Sequence, residues 1–107
     1  MRIAFRMSLN KGWEEEYKKR HNPIWKELQE ILLQHGVVSY SIFLDPNDNS
    51  LFAYAEIKDL QQWQKVAETA VCQKWWTYMQ PLMPTNEDAS PVSLELTEVF
   101  HIDNKTE

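Results

Sequence analysis

The sequence contains little of what builds disulfides, phosphate-binding loops or membrane spans. Of its 107 residues, only one is cysteine and two are glycine. A single cysteine excludes an internal disulfide and suits a reducing cytoplasm, which is the location we expect. Two glycines cannot build a glycine-rich phosphate loop. No apolar run approaches the ~20 residues of a membrane span, and residues 1–6 predict a strand rather than a secretion signal.

Basic residues are also in the minority. Lysine and arginine number 11 against 16 aspartates and glutamates, so the net charge is −5. This charge repels phosphate backbones and anionic lipids, so we expect neither a nucleic-acid nor a membrane partner. Hydrophobic residues at 43% and charged residues at 25% are ordinary values for a globular domain. We expect one domain over residues 1–102 and a frayed tail over residues 103–107.

Hydrophobic spacing predicts a mixed α+β chain. Apolar and polar residues alternate, as in half-buried strands, near residues 3–9, 38–44, 51–57 and 94–102. Helical spacing relates residues 13–32 and 60–79 instead, with breaks at Pro23 and near Thr69. The resulting order β-α-β-β-α-β is the ferredoxin-like pattern, in which helices cover one face of a four-stranded antiparallel sheet.

Helix boundaries follow from capping residues. Asn10 is expected to cap the first helix. At Pro23 the sequence predicts either a kink or a second helix that begins at Pro23 and is capped by Asn22.

The sheet face away from the helices predicts a second copy of the chain. Residues such as Phe52 and Tyr54 alternate onto this face and need to be covered. We therefore expect a homodimer built sheet to sheet, with two identical sites.

No residue spacing in the chain is typical of a metal site. His21, His35 and His101 lie far apart, and Cys72 has no neighbouring histidine or cysteine. We therefore expect no metal and no organic cofactor, although haem and flavin bind without short motifs and stay open on this evidence.

The pair formed by Tyr17 and His21 is the first candidate site. The two residues are four apart and so share a helix face, and His21 stands just before the interruption at Pro23. Histidine can both accept and donate a proton near neutral pH. The position equally suits an exposed histidine at a helix bend, so spacing alone leaves both roles open.

Aromatic residues are unusually frequent, with five tryptophans beside four tyrosines and four phenylalanines. Trp75 and Trp76 are adjacent on a helix and point about 100° apart, so one can be core while the other lines a cavity or an interface. Tyr40 falls on the apolar face of the second strand, where its hydroxyl needs a partner, either backbone or ligand.

Several segments in register resemble the L-rhamnose mutarotase family. They keep the family's order and spacing up to about Ile102, and they are Tyr17–Trp25, Val71–Trp76, Met83–Asn86, Ser90–Ser93 and Glu98–Phe100. The resemblance implies a fold similar to the dimeric α+β barrels and a cytoplasmic, cofactor-free isomerase that interconverts the α and β anomers of L-rhamnose. It places the proton donor on His21 and the sugar-binding positions on Tyr17, Tyr40, Trp75 and Trp76.

Two alternative functions are compatible with the same fold. One is a cofactor-light monooxygenase or haem-degrading enzyme of the dimeric α+β barrel type, since these also use ferredoxin-like dimers rich in tryptophan and histidine. The other is a non-catalytic sugar-binding or dimerisation module, which would bind rhamnose without accelerating the exchange of its anomers.

Overall fold

A computed structural model describes residues 1–104 of the chain. The strands are β1 (Arg2–Ser8), β2 (Val37–Asp45), β3 (Ser50–Ile57) and β4 (Leu94–Leu96). The helices are α1 (Glu14–Arg20), α2 (Lys26–Gln34), α3 (Leu60–Lys65) and α4 (Ala70–Met79). The strands form one antiparallel sheet in the order β2-β3-β1-β4. The ferredoxin-like fold is therefore confirmed, with each of the two predicted helical segments divided into a pair of helices.

The first helical segment is broken at Pro23, as predicted, but its ends differ from those expected. Gly12 adopts a φ of 92°, and α1 begins only at Glu14, so Asn10 is not its cap. Asn22 does not cap α2 either: its side chain donates to the Lys18 carbonyl in α1, and Trp25 occupies the N-cap position of α2. As a result α2 begins at Lys26, three residues after Pro23.

The predicted fourth strand is much shorter than its alternating pattern. β4 covers only Leu94–Leu96, and residues 97–104 have no regular secondary structure. Beyond β4, Arg2 pairs with Glu98 at 3.1 Å, while Val99, Phe100 and Ile102 are 91%, 75% and 78% exposed. Alternation alone does not make a strand here, because the ladder with β1 ends after Leu96. The frayed tail was predicted over residues 103–107, of which residues 105–107 lie outside the described part of the chain.

The helices cover one face of the sheet and enclose the core. From the sheet, Met7, Leu51 and Ala53 point to this side, and all are buried. The helices and the turn after α4 add buried residues, chiefly Leu28, Val66, Cys72, Trp75, Met79 and Leu82. As a result, α1, α4 and the inner face of β2 surround one cavity.

The opposite side, which we call the open sheet face, carries exposed apolar side chains. The register aligns Phe43 with Phe52, Phe52 with Arg6, and Arg6 with Leu94 across all four strands. A neighbouring row contains Tyr54, Ala4 and Leu96. Phe43 and Leu94 are the most exposed of these, at 64% and 59%.

Candidate active site

His21 directly follows the last residue of α1 and is held by that helix. Its backbone N–H donates to the Lys18 carbonyl at 3.2 Å. Its ring lies between the ring of Tyr17, with centroids 4.4 Å apart, and the ring of Trp75, met edge to face at 5.2 Å. The helix end and two aromatic side chains therefore set the position of the imidazole.

The protonation state of the His21 ring follows from one hydrogen bond. Nδ1 of His21 lies 2.8 Å from the backbone carbonyl oxygen of Tyr17. A carbonyl oxygen only accepts, so Nδ1 carries the proton. Burial lowers the pKa of His21 below 6.5, although this hydrogen bond opposes the shift. At neutral pH the imidazole is thus uncharged, with Nε2 free to accept a proton.

The phenol hydroxyls of Tyr17 and Tyr40 act as neutral groups. Burial raises the pKa of both hydroxyls well above the ordinary value of 10, and proximity to Tyr17 adds to the rise at Tyr40. Within residues 1–104 neither hydroxyl makes a hydrogen bond, and no fully buried polar side-chain atom there lacks a partner. Both hydroxyls therefore reach the cavity surface, where they can donate to or accept from a ligand.

The two adjacent tryptophans of α4 have different surroundings. Trp75 is buried in the core and packs edge to face on Trp25 at 5.1 Å, as well as on His21. Trp76 is only half-buried, at the border of the core. Their 100° separation therefore makes Trp75 a supporting wall for the histidine and leaves Trp76 with more surface for a ligand.

One cavity brings the predicted residues together. It measures about 1270 Å³ and opens between the inner face of β2 and the helices. His21, Tyr17, Tyr40, Trp75 and Trp76 all line it. Its charged lining is contributed by α1, through Glu14, Glu15 and Lys18.

Several site neighbours were not singled out from the sequence. Trp63 lines the cavity and meets the Tyr40 ring edge to face at 5.6 Å. Trp25 and Tyr78 also pack against Trp75, with ring centroids 5.1 and 5.6 Å from its ring. Trp63 and Tyr40 are far apart in the sequence, and no sequence signal indicated that β2 would bring Tyr40 against Trp63.

The structure also bears on metal binding and membrane crossing. In the described part of the chain, no three histidine, cysteine, aspartate or glutamate side chains are grouped as metal ligands would be. His101 meets Glu98 through Nδ1 at 3.9 Å and Asp103 through Nε2 at 4.0 Å, so the two carboxylates lie at different ring nitrogens, and none of the three residues lines the cavity. None of the helices within residues 1–104 is long and apolar enough to cross a membrane.

Comparison with known families and relatives gives one consistent result. A sequence model described as L-rhamnose mutarotase matches residues 2–102. An L-rhamnose mutarotase of Opitutus terrae is 53% identical over 103 residues, which cover 96% of this chain and 99% of that protein. One from Listeria monocytogenes is 52% identical and covers 94% of this chain and 97% of its own length.

Solved structures with a similar fold fall into two groups that differ in their sequence identity to this chain. The crystal structure of an L-rhamnose mutarotase from Formosa agariphila superposes with a TM-score of 0.88 at 42% identity, covering 96% of this chain and 99% of that one. SnoaB, a cofactor-independent oxygenase of Streptomyces nogalater, superposes with a TM-score of 0.64 at only 14% identity, covering 94% of both chains. The likeness to the oxygenase therefore concerns the fold alone.

Proposed function

The chain belongs to the L-rhamnose mutarotase family, and on that basis we propose that His21 carries the proton transfers of its reaction. The enzyme is an isomerase that interconverts the α and β anomers of L-rhamnose. The monooxygenase alternative is not favoured, since the relatives at 42–53% identity are mutarotases. The observation that carries the assignment to His21 is its hydrogen bond to the Tyr17 carbonyl, which leaves Nε2 as a base within the cavity lining.

Ring opening begins with a base rather than an acid on this geometry. Neutral His21 accepts the anomeric hydroxyl proton at Nε2 and becomes imidazolium. The electrons of that O–H bond form the C1 carbonyl, the C1–O5 bond breaks, and O5 takes the proton from the imidazolium, directly or through a tyrosine hydroxyl, which leaves His21 neutral again. After rotation about C1–C2 the steps run in reverse and close the ring on the other face. The proton donor implied by the resemblance is thus the imidazolium formed in the first step.

The tyrosines support this cycle without supplying a base. Their raised pKa values keep both hydroxyls protonated at neutral pH. Tyr17 or Tyr40 can receive a proton at the hydroxyl oxygen while releasing its own, which relays a proton between O5 and His21. Each can also hold a sugar hydroxyl in place.

Trp76 is proposed as the wall on which the sugar ring rests. An indole packs well on the apolar C–H face of a pyranose, and Trp76 is the less buried member of the pair. Trp75 contributes to binding through the same wall and through its contact with His21. The methyl group of a 6-deoxy sugar suits this apolar lining, whereas a CH₂OH group there would bury an unpaired hydroxyl at a cost of about 1–3 kcal/mol.

Saturation-difference NMR tests the function directly, because it reports exchange between the anomeric C1 protons. Catalytic amounts of the enzyme should accelerate exchange in L-rhamnose. L-Mannose, which differs only by a hydroxyl on C6, should exchange more slowly at equal concentration. Binding of L-rhamnose without accelerated exchange would instead identify a sugar-binding module, and a Soret shift on adding haem would support the haem-degrading alternative.

A second copy of the chain is the proposed partner of the open sheet face. Phe43, Phe52 and Leu94 lie there without cover, and Val99 and Phe100, which follow β4 in the chain, are also exposed. A symmetric, sheet-to-sheet contact covers the patch on both copies at once. We propose the cytoplasm as the location, where an unpaired thiol such as buried Cys72 stays reduced.

A further inference from the structure

Arg20, the last residue of α1, has a guanidinium group held by three contacts. Its Nε donates to the Glu16 carboxylate one turn earlier, at 2.7 Å. Its Nη1 donates to the backbone carbonyl of Tyr78 near the end of α4. The carbon Cζ also lies 4.1 Å from the centroid of the Tyr78 ring, a cation–π distance. Such a set requires a planar, multiply donating cation and is specific to arginine.

The two contacts with Tyr78 also connect Arg20 to His21, by a route separate from the backbone. The peptide bond joins the two residues directly. In addition, the Tyr78 ring packs on Trp75 at 5.6 Å, and Trp75 meets the His21 ring at 5.2 Å. Arg20 is therefore linked to the backbone of His21 directly and to its ring by way of Tyr78 and Trp75.

The helix that carries His21 has few other anchors. α1 has only seven residues and none is fully buried, so intrinsic helix stability holds it weakly and core packing reaches it through the partly buried Tyr17. At its N-terminal end, Glu14 accepts a hydrogen bond from Asn49 at 2.7 Å. At its C-terminal end, the side-chain anchor to α4 is Arg20.

We propose that Arg20 is a positioning residue for proton transfer, which acts by setting the imidazole of His21 against Trp75 and toward the substrate. This inference rests on the proposed role of His21. Arg20 itself is absent from the lining of the cavity and does not need to touch the sugar.

Arg20→Gln is the main test, with Lys19→Ala as the matched control. Both variants remove one positive charge from the last turn of α1, but Lys19 is exposed and its side chain makes no hydrogen bond within the described residues. R20Q should lower the kcat of anomer exchange by about tenfold, because even a small displacement of the reacting imidazole slows proton transfer. The KM for L-rhamnose should change less, since Trp76 is untouched. K19A should match the wild type, and Arg20→Lys should recover part of the rate.

NMR titration of the His21 ring provides a readout that does not depend on turnover. A displaced ring is better solvated, so its pKa in R20Q should rise toward the ordinary value, with no such rise in K19A. A folded R20Q protein with wild-type kcat and an unmoved His21 titration would overturn the proposal. If R20Q fails to fold, Tyr78→Leu removes the ring but keeps the carbonyl, and the same shifts are expected of it. If the wild type showed no exchange, the proposed function would fail, while the titration would still decide whether Arg20 positions His21.

Discussion

The imidazole Nδ1 of His21 donates a hydrogen bond of 2.8 Å to the carbonyl oxygen of Tyr17, one helical turn earlier. This bond sets the tautomer, and burial in the cavity keeps the ring uncharged. Both effects favour a resting base at Nε2, and the first prediction depends on them.

The exchange rate should decrease on the acid side of neutrality. Because the pKa of His21 in the free enzyme lies below 6.5, kcat/KM should stay level from neutral pH down to that pKa and then fall as the ring protonates. Stability should change in the same direction as the rate. The imidazole of His21 binds a proton more readily in the unfolded chain, so the free energy of unfolding should decrease as pH falls below about 6.5. Glu14, Glu15 and Lys18 line the same cavity, so their single neutral variants should be titrated in parallel. A rate that rises on acidification would show that imidazolium is the resting form.

His21→Ala and Trp76→Ala should have opposite kinetic signatures. H21A removes the base and should reduce exchange by roughly 10²-fold or more, while L-rhamnose affinity is largely retained. W76A removes the proposed wall and should weaken affinity at least as much as rate. Thermal unfolding serves as the control, since loss of half-buried His21 should cost at most about 1 kcal/mol. Near-normal exchange in H21A would show that the base is another group or water rather than His21.

Tyr17→Phe and Tyr40→Phe each remove one hydroxyl while the ring stays in place. A lost hydrogen bond to a sugar hydroxyl is worth about 0.5–1.5 kcal/mol, so a residue that only binds should weaken affinity about two- to tenfold. A residue that relays the proton should reduce kcat more than affinity. Measuring both constants for both variants assigns the relay, and two unchanged variants would exclude both hydroxyls from the site.

Removal of metals should leave the enzyme active. The predicted mechanism requires only side-chain proton transfers, so exhaustive dialysis against EDTA should not change the exchange rate. The control is readdition of Mg²⁺, Mn²⁺ and Zn²⁺ to the dialysed protein. Loss of exchange that one of these ions restores would show that the reaction needs a metal.

Leu94→Glu should weaken self-association. Leu94 lies opposite Arg6 on the open sheet face, so a glutamate there can pair with Arg6 within one copy while it disrupts the apolar patch. Sedimentation velocity should show a dimer for the wild type and a concentration-dependent shift to monomer for L94E. Gln61→Glu, an exposed position on α3, adds the same charge away from this face and should stay dimeric. A stable wild-type monomer at micromolar concentration would contradict the proposed homodimer.

Much of the fold was predictable because its signals are local. Alternation located β1, β2 and β3, and the missing N–H of Pro23 predicted a break between α1 and α2. The fourth strand was predicted to be longer than it is. A strand also needs a neighbouring strand to pair with, and the pairing of β4 with β1 ends at Leu96 although the alternation continues to residue 102. The helix starts differ from those expected: Gly12 adopts a φ of 92° before α1, and Trp13 and Trp25, rather than Asn10 and Asn22, stand at the N-caps of α1 and α2.

Two histidines show most clearly what local sequence determines and what tertiary packing determines. His21 and His35 each follow a helix, and each bonds through Nδ1 to the carbonyl four residues earlier, at 2.8 and 2.7 Å. The sequence by itself determines this bond, because it arises within one helical turn. Only the tertiary structure sets His21 against Trp75 in a cavity shared with Tyr40, since those residues come from α4 and β2 and meet through packing across the sheet.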